Sequence, residues 1–271
     1  MASLEGRSAV ITGAAGGLGR AIATALDRQG ARLLLVDIDA DGLADIASLL
    51  EAEALVADVA DASGRASIAE RCGGGGPDIL INNAGIEKAS EYARLGQDEV
   101  RHALEVNLLG AMLLTHALLP GMRERGGGHV IHMASMAAVK LVPFNAVYNT
   151  AKAGLAAFSM SLSKELAGTG VHSTVICPSA VTGVGMWARA SGQLSPNRLV
   201  DSSVVEPGTV ASAVLHAIDR RPVRILVGSP LVRAGTLLSA LSPRVDRWTD
   251  RLSGIHAVYR ERIRTDGGRR L

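Results

Sequence analysis

Tyr148 and Lys152 stand four positions apart in the stretch VYNTAKAG. Residues i and i+4 of a helix lie on the same face, so a phenol and an ammonium group at this spacing can reach one point in space. Such a pair could act as a proton donor with its electrostatic partner. The spacing is equally typical of an amphipathic helix with a tyrosine at its boundary and a lysine that extends into solvent. The stretch alone leaves both interpretations open.

A glycine-rich turn could provide a second kind of chemistry. The stretch TGAAGGLGR, residues 12–20, comes after the apolar run SAVI and before the helical pattern AIATALDRQG. Glycines allow a backbone to approach a pyrophosphate closely, and a helix N-terminus supplies N–H groups and the positive end of a dipole. Gly13, Gly17 and Gly19 follow the spacing TGxxxGxG, which departs from the commonest fingerprint. Its position after the first strand predicts a dinucleotide site.

Asp37 ends the second apolar run, about 20 residues after the glycine-rich turn, as in dinucleotide sites. Its carboxylate could accept hydrogen bonds from the ribose hydroxyls of adenosine. A 2′-phosphate would meet a like charge there, and neither Ala15 nor Ile38 offers a cation to offset it, so we expect NAD in preference to NADP. In the alternative interpretation, Asp37 only caps the following turn.

The elements that must position these residues form a repeating pattern. Seven apolar runs, each followed by a helix-length segment except the last, read SAVITG, ARLLLVD, EALVAD, DILINNAG, HVIHMAS, VHSTVICP and VRILVGS. Buried parallel strands are continuous apolar runs, and helices must connect them. We therefore predict a doubly wound α/β sheet of about seven parallel strands in one domain, residues 1–228, with a substrate loop at about 183–207.

Residues 229–271 form a basic helical extension in this interpretation. Residues 1–219 carry 16 basic and 22 acidic side chains, whereas residues 220–271 carry 12 and 4. Apolar residues three and four apart, with Pro243 splitting them, predict two amphipathic helices; they are Leu231, Ala234, Leu238, Leu241, Val245, Trp248 and Leu252. Arg233, Arg244, Arg247 and Arg251 occupy the other face. The extension could cover a pocket, pack on a second subunit or lie on an anionic membrane, and the membrane was the less favoured option.

Composition excludes several function classes. With 48% hydrophobic and 20% charged residues, the 271-residue chain can bury a sizeable core and is not disordered as a whole. Cys72 and Cys177 lack metal-ligand spacing, so we expect no metal, a reducing compartment and a cytoplasmic location. No signal peptide is visible, and the segment VNLLGAMLLTHALLPGM suits a buried or interface helix. The basic tail lacks interleaved aromatic residues, so we expect no nucleic acid.

Several motifs together resemble the short-chain dehydrogenase/reductase family, in its NAD-preferring type. TGAAGGLG, NNAG at 82–85, Asn107, Ser135 and YNTAK at 148–152 occur in the family's order and at roughly its spacings, over about residues 4–228. Because several weak matches occur in the correct order, they are jointly specific. The resemblance implies a Rossmann-type fold and an enzyme that acts on CH–OH groups.

The resemblance also implies catalytic roles. Tyr148 would be the general acid/base. Lys152 would lower the pKa of the Tyr148 phenol and bind the nicotinamide ribose. Ser135 would hold the substrate oxygen where charge develops, and Asn107 would anchor a water that links Lys152 to solvent. On their own, Ser135 could cap a turn and Asn107 could bond within a helix.

In the cofactor site the resemblance implies three groups of residues. Gly13, Gly17, Leu18 and Gly19 would form the phosphate loop. Asp58 and Val59 would contact adenine, and Asn83, Ala84 and Gly85 would line the adenosine side. Pro178, Val181 and Thr182 would bind the carboxamide, with Ser179 standing where glycine is usual.

The sequence predicts an NAD-dependent alcohol dehydrogenase or ketone reductase for a small hydrophobic molecule. Its pocket would be lined by residues 136–144, Ala180 and the loop 183–200 with Met186 and Trp187, which are mostly apolar. An NADPH-dependent reductase of acyl thioesters and a non-catalytic NAD-binding scaffold are the alternatives. The apolar helices at about 99–122 and 147–168, like the resemblance, indicate a homodimer or homotetramer.

Overall fold

The computed structural model describes residues 3–183 and 203–266. Seven parallel strands form one sheet in the order β3-β2-β1-β4-β5-β6-β7. The strands are β1 (Ser8–Thr12), β2 (Arg32–Asp37), β3 (Glu53–Val56), β4 (Ile79–Asn82), β5 (Gly128–Met133), β6 (Val171–Pro178) and β7 (Arg224–Val227). All seven apolar runs are strands, so the predicted doubly wound sheet is confirmed.

Helices cover both faces of this sheet. Within the described residues they are α1 (Gly17–Asp27), α2 (Ala40–Leu50), α3 (Ala62–Cys72), α4 (Gln97–Leu104), α5 (Gly110–Glu124), α6 (Ala146–Glu165), α7 (Pro207–Arg220), α8 (Pro230–Ser239), α9 (Pro243–Ser253) and α10 (Ile255–Asp266). A π-helical segment, Glu105–Leu109, joins α4 to α5. Short 3-10 turns lie at Tyr92–Arg94 and Met136–Ala138.

Strand order reverses between β1 and β4, and this reversal positions the site. From β1 the chain proceeds outward to β2 and β3, then returns to β4 on the other side of β1. Ligands of open parallel sheets bind in the crevice beyond the carboxyl ends of the strands at this switch point. The glycine-rich turn, Asn83 and Ser135 all follow strands at that edge.

The most apolar helical segment, residues 97–124, is long and apolar enough to cross a membrane by those two criteria. In this fold it packs on the sheet, with Leu114, Leu118 and Met122 nearly inaccessible to solvent. This packing fits a core helix, as the sequence indicated. Its outer side still exposes Leu109 and Leu113.

The first helix of the extension, α8, begins at Pro230, and Ser229 caps it. As the sequence predicted, Pro243 separates two helices and begins α9; the hydroxyl of Ser242 accepts a hydrogen bond from the N–H of Arg244. The prediction of two helices was incomplete, because α10 follows after Gly254, which adopts a left-handed conformation. The larger part of the predicted loop, residues 184–202 with Met186 and Trp187, lies outside the described residues.

Candidate active site

The glycine-rich turn packs so tightly at Gly13 and Gly19 that neither position has room for a side chain. Gly13 has a φ of +67°, and a Cβ there would lie 2.8 Å from the Cα of Ala84. A Cβ on Gly19 would lie 2.1 Å from the carbonyl oxygen of Gly13. Gly17 begins α1, and Gly16 precedes it with no side-chain cap for the first N–H groups. These features fit a pyrophosphate, which needs close backbone approach and free N–H donors.

Asn83 ties this turn to the neighbouring strand. Its amide donates to the carbonyl oxygens of Thr12 and Gly13 at 3.0 and 3.1 Å. The hydroxyl of Thr12 in turn accepts from the N–H groups of Asn83 and Ala84, both at 3.1 Å. Asn83 therefore satisfies backbone groups at the strand ends and lies beside the glycine-rich turn, while its predicted position on the adenosine side stays a prediction.

Asp37 lies against the same turn. Its carboxylate accepts from the N–H of Ala15 at 2.9 Å and from those of Ile38 and Asp39 at 2.8 and 3.1 Å. Asp37 therefore caps its own turn and places a carboxylate beside the glycine-rich turn, while its hydrogen bonds to ribose stay a prediction. Arg20, which the sequence interpretation overlooked, donates to the carbonyl oxygens of Ala15 and Gly42 at 2.8 and 2.6 Å.

Asp58 and Val59 follow β3 at the other side of the crevice. The carboxylate of Asp58 accepts from the N–H of Ala60 at 2.8 Å, and the side chain of Val59 is buried. Gly110 approaches Val59 so closely that a Cβ would lie 2.8 Å from its carbonyl oxygen. The backbone of residues 58–60 is therefore fixed, and its contact with adenine stays a prediction.

Tyr148 and Lys152 lie on one face of α6, with the ammonium nitrogen 5.8 Å from the centre of the phenol ring. Lys152 is buried and donates to the carbonyl oxygen of Met133 at 2.9 Å. Burial lowers the pKa of Lys152 to about 8, against an opposing effect of Glu87. Burial, helped by the Glu87 carboxylate, raises the pKa of Tyr148, while a hydrogen bond with Ser135 opposes that rise.

Ser135 follows β5 and begins the turn Met136–Ala138, where its hydroxyl accepts from the N–H of Ala137 at 3.1 Å. It thus caps a turn and also contacts Tyr148 at the mouth of the crevice. The capping bond fixes the hydroxyl oxygen without using its proton, and that proton can serve the hydrogen bond with Tyr148.

Asn107 lies in the π-helical segment and is buried beside Lys152. Its amide donates to the carbonyl oxygens of Ile86 and Ala103 at 2.8 and 2.9 Å, and its oxygen accepts from the N–H of Ile86 at 3.1 Å. A Cβ on Gly85 would lie 2.8 Å from that oxygen and 3.3 Å from the nitrogen of Lys152. Asn107 therefore fixes the NNAG turn against Lys152, and its predicted water remains a prediction.

The segment after β6 departs from the family pattern at Ser179 without distortion. Ser179 is absent from the non-glycine residues with positive φ in the described chain, so glycine is not required there. Its N–H donates to the carbonyl oxygen of Val227 at 2.9 Å, and its buried hydroxyl has no hydrogen-bond partner among the described residues. Pro178 and Val181 line the crevice, whereas Thr182 is exposed and donates its N–H to Val205.

A cavity of about 500 Å³ opens in front of Tyr148. Leu18, Asn83, Gly85, Ser135, Lys152, Pro178 and Val181 line it together with Tyr148, so it brings together eight of the 17 predicted site residues. Met136, Ala137, Val142 and Ala180 were predicted to line a pocket and do so, while Phe144 does not. The extension supplies the opposite wall, mainly through Leu231, Val232, Leu252, Ile255 and Tyr259.

The sequence interpretation overlooked a buried polar cluster next to Tyr148. Arg262 of α10 forms two hydrogen bonds to the carboxylate of Glu87, at 3.0 and 2.9 Å, and both side chains are at most 8% exposed. The amide of Asn145 donates to the same carboxylate. Tyr259 stacks near Arg262, with 5.5 Å between the guanidinium carbon and the ring centre. Burial, helped by Glu87, raises the pKa of Tyr259.

A second cluster fastens the extension to the turn after Ser135. The ammonium group of Lys140 donates to Asp246, Thr249 and Asp250 at 3.1, 2.9 and 2.8 Å, and more weakly to Ser239 at 3.4 Å. Neither cluster could have been found from local patterns, because their partners stand about 100 to 175 positions apart. Within the described residues, no group of histidine, cysteine and carboxylate side chains could hold a metal ion.

Comparison with known proteins gives a consistent result. A family model described as short chain dehydrogenase matches residues 7–195. The ketoacyl reductase HetN of Nostoc sp. is 36% identical over 264 residues, covering 92% of this chain and 91% of the relative. An uncharacterized oxidoreductase of Staphylococcus aureus is 31% identical over 238 residues, covering 86% of this chain and 99% of the relative.

Solved structures resemble this fold over most of its length. A 3-ketoacyl-(acyl-carrier-protein) reductase from Brucella melitensis complexed with NADH has a TM-score of 0.77 at 26% identity, covering 84% of this chain and 99% of that one. The L-sorbose reductase of Gluconobacter frateurii, complexed with NADPH and L-sorbose, has a TM-score of 0.76 at 28% identity, covering 84% and 97%. These neighbours bind nicotinamide cofactors of both kinds.

Proposed function

The chain belongs to the short-chain dehydrogenase family, whose members are oxidoreductases that bind nicotinamide nucleotides, and from that premise we propose that it interconverts a hydrophobic secondary alcohol and its ketone with NAD(H). One observation carries the proposal. Ser135, Tyr148 and Lys152 meet at the mouth of a mainly apolar cavity that continues to the glycine-rich turn.

The residues present fit a dinucleotide, since the turn at Gly13 and Gly19 leaves no room for side chains and α1 has uncapped N–H groups. When bound, the nicotinamide accepts or donates the hydride. Tyr148 gives its phenolic proton to the carbonyl oxygen during reduction and takes the hydroxyl proton during oxidation. Ser135 donates a hydrogen bond to that same oxygen, which stabilises the negative charge developing there.

Lys152 acts on Tyr148 through charge. Its ammonium group favours the phenolate, and its burial makes that interaction stronger than it would be in water. The lowered pKa of Lys152, about 8, means that the ammonium form prevails at neutral pH and is lost in alkaline solution. Asn107 and Gly85 position Lys152 by packing the NNAG turn against it.

The cavity wall favours an apolar substrate. Met136, Val142, Ala180 and the leucines of the extension present carbon atoms, so a sugar or a phosphate ester would lose hydration without regaining hydrogen bonds. One group of polar residues surrounds Tyr148, where one oxygen of the substrate is expected, and a second surrounds Lys140, whose ammonium group already bonds to side chains of the extension. A hydrophobic secondary alcohol satisfies both conditions.

The thioester interpretation also has a specific observation in its favour. The Nostoc relative is named a ketoacyl reductase, and the similar structure from Brucella melitensis is of a ketoacyl reductase that was solved with NADH. Asp37 argues against an NADPH-dependent reductase because its carboxylate would repel a 2′-phosphate. The Brucella melitensis structure holds NADH, so this argument does not exclude a ketoacyl reductase. A 3-ketoacyl thioester would also place a ketone beside Tyr148 and an apolar chain in the cavity.

For the cofactor, we propose NAD in preference to NADP. Asp37 supports this choice because its carboxylate is fixed by three backbone N–H groups and would repel a 2′-phosphate. Arg20, a cation near the turn, has hydrogen bonds to two carbonyl oxygens. In steady-state kinetics, kcat/KM should be at least about tenfold higher with NAD, and Asp37→Ala should reduce that ratio. A preference for NADP in the wild-type enzyme would contradict the proposal.

A substrate panel tests the activity itself. Secondary alcohols, ketones and 3-ketoacyl thioesters of increasing chain length are followed through nicotinamide absorbance, with Tyr148→Phe as the comparison. We expect turnover that increases with chain length and falls at least about 1,000-fold in the variant. Activity on thioesters alone would establish the second candidate. Equal turnover in Tyr148→Phe would reject the mechanism, and binding of NAD without any turnover would indicate a scaffold.

The two cysteines agree with a reducing, cytoplasmic environment. Cys72 and Cys177 are both free thiols, and burial raises the pKa of each to about 11. Neither is therefore activated for disulfide exchange at neutral pH.

A further inference from the structure

The helices α8 and α9 of the extension turn one group of polar residues toward the body, where Ser239, Asp246, Thr249 and Asp250 surround Lys140. Large apolar residues turn outward: Leu231 is 75% exposed, Leu238 52%, Leu241 77%, Trp248 61% and Leu252 58%. The apolar stripe that the sequence predicted exists, but the described residues 3–183 and 203–266 leave a large part of it uncovered. An uncovered apolar surface of this kind marks a binding site.

Arginines share this surface. Arg233, Arg244, Arg247 and Arg251 are exposed, and the exposed residues of α8 and α9 include no carboxylate. Asp246 and Asp250 are turned inward to Lys140. We call the exposed side of α8 and α9 the outer face; it consists of Leu231, Arg233, Leu238, Leu241, Arg244, Arg247, Trp248, Arg251 and Leu252.

The charge of the outer face favours one occupant over another. In a two-fold dimer each copy presents the same patch, so arginines would meet arginines with no carboxylate on the patch to neutralise them. An anionic lipid surface offers negative head groups to the arginines and an apolar layer to the leucines. Tryptophan is enriched at that boundary because its ring is apolar and its N–H is polar.

The outer face is continuous with the active-site cavity. Leu231 and Leu252 belong to both, since they line the cavity and are still more than half exposed. We propose that the outer face docks on anionic membranes and brings the cavity mouth to the lipid surface, so that a lipophilic alcohol or ketone enters from the bilayer. The docking step stands independently, whereas the delivery of substrate rests on the proposed function.

Vesicle flotation tests the docking step. The full-length protein is mixed with vesicles of phosphatidylcholine alone or with added phosphatidylglycerol, at low and high salt. We expect flotation with the anionic vesicles and loss of flotation in high salt. In a Trp187→Phe background, Trp248 is the only tryptophan, and its emission should shift to shorter wavelength on binding. Equal flotation with both vesicle types, or none with either, overturns the proposal.

Variants separate the membrane from other occupants. Leu241→Glu with Trp248→Glu should abolish flotation, and Arg247→Glu should weaken partitioning at least about fivefold. Leu49→Glu is the matched control, because Leu49 is 73% exposed on α2 and should leave flotation unchanged. If the double variant floats as the wild type does, the outer face is not the docking site. If it instead turns a dimer that does not float into a monomer, the occupant is a second copy.

Activity keeps the two proposals distinct. Leu241 and Trp248 do not line the cavity, so the double variant should retain turnover of a water-soluble alcohol and lose only the gain seen when a long-chain alcohol is supplied in anionic vesicles. Flotation without any turnover would leave docking intact and reject the proposed function. Turnover without flotation would support the proposed function and reject the docking proposal.

Discussion

At the scale of single residues, Glu87 is the unexpected member of the active site, because it places a carboxylate beside the phenol of Tyr148. A negative charge disfavours phenolate formation, so Glu87 raises the pKa of Tyr148, and it also raises that of Lys152. We expect Glu87→Gln to lower both pKa values. Because oxidation requires the phenolate, the rise of kcat/KM with pH should move to lower pH by about one unit.

The measurement is a pH profile of alcohol oxidation between pH 6 and 10. Glu99→Gln provides the control, because it removes a carboxylate that pairs with Lys88 away from the cavity and should not move the profile. A lower rate with an unmoved profile would mean that Glu87 only holds the structure together.

At the scale of elements, α10 depends on one buried ion pair. Arg262 is 3% exposed and forms two hydrogen bonds to Glu87, which connects the last helix to the turn after NNAG. Arg262→Met would leave a carboxylate buried without its cation, so we expect a loss of about 3 kcal/mol in the free energy of unfolding. Tyr259 lines the cavity and stacks near Arg262, so the variant should bind substrate less well and have a higher KM for it. KM for the cofactor should change little.

Denaturant unfolding and steady-state kinetics check this expectation. Arg260→Met is matched in chemistry but lies at an exposed position of the same helix and should cost less than about 0.5 kcal/mol. Adding Glu87→Gln to Arg262→Met should restore part of the stability, because no buried charge then lacks its partner. If the double variant is no more stable than Arg262→Met, the ion pair is not the reason for the loss.

The strand β5, which lies between β4 and β6, carries two buried histidines, and they make stability depend on pH. Burial lowers the pKa of His129 and of His132 to about 3. In the unfolded chain both would titrate near 6.5, so below that pH the unfolded state binds more protons than the folded state. Stability is therefore full above about pH 6.5 and falls by about 1.4 kcal/mol per pH unit for each histidine as the pH drops toward 3.

His132→Leu should remove one of these contributions. Between pH 6 and 4, the slope of unfolding free energy against pH should be about 1.4 kcal/mol per unit shallower than in the wild type, whatever the variant's stability at pH 7. Chemical denaturation at several pH values measures the slope. His216→Leu, on an exposed position of α7, should keep the wild-type slope. An unchanged slope in His132→Leu would show that His132 is already protonated in the folded state.

The elements were predictable where a local pattern determines them. Buried parallel strands must be apolar along their length, so all seven strands were found, and the switch point then followed. The cluster of Glu87, Asn145 and Arg262 was not predictable, because it depends on a contact across 175 positions. The sequence leaves the orientation of α8 and α9 open, because a helical period shows that two faces differ and does not show which one the fold covers.

At the scale of the whole molecule, the helices around the active site leave an apolar face uncovered. Leu109 and Leu113 are 43% and 44% exposed on the segment that also holds Asn107. Leu108 of the same segment packs on α6, where a Cβ on Gly154 would approach it to 3.2 Å. A second copy packed on this face would therefore support the helix that carries Tyr148 and Lys152. Leu109 and Leu113 present the same apolar contact in both copies, which suits a two-fold arrangement.

We expect the protein to be at least a dimer through this face. Light scattering after size exclusion should give about twice the chain mass of 28.0 kDa or more for the wild type, and Leu113→Arg should shift it toward the single chain because an arginine would be buried opposite its own copy. Leu49→Arg, at a more exposed leucine of α2, should keep the wild-type mass. The Leu113→Arg chain should also lose activity, since α6 then lacks its outer support. A wild-type chain that is monomeric at micromolar concentration and fully active would remove the dimer from the catalytic argument.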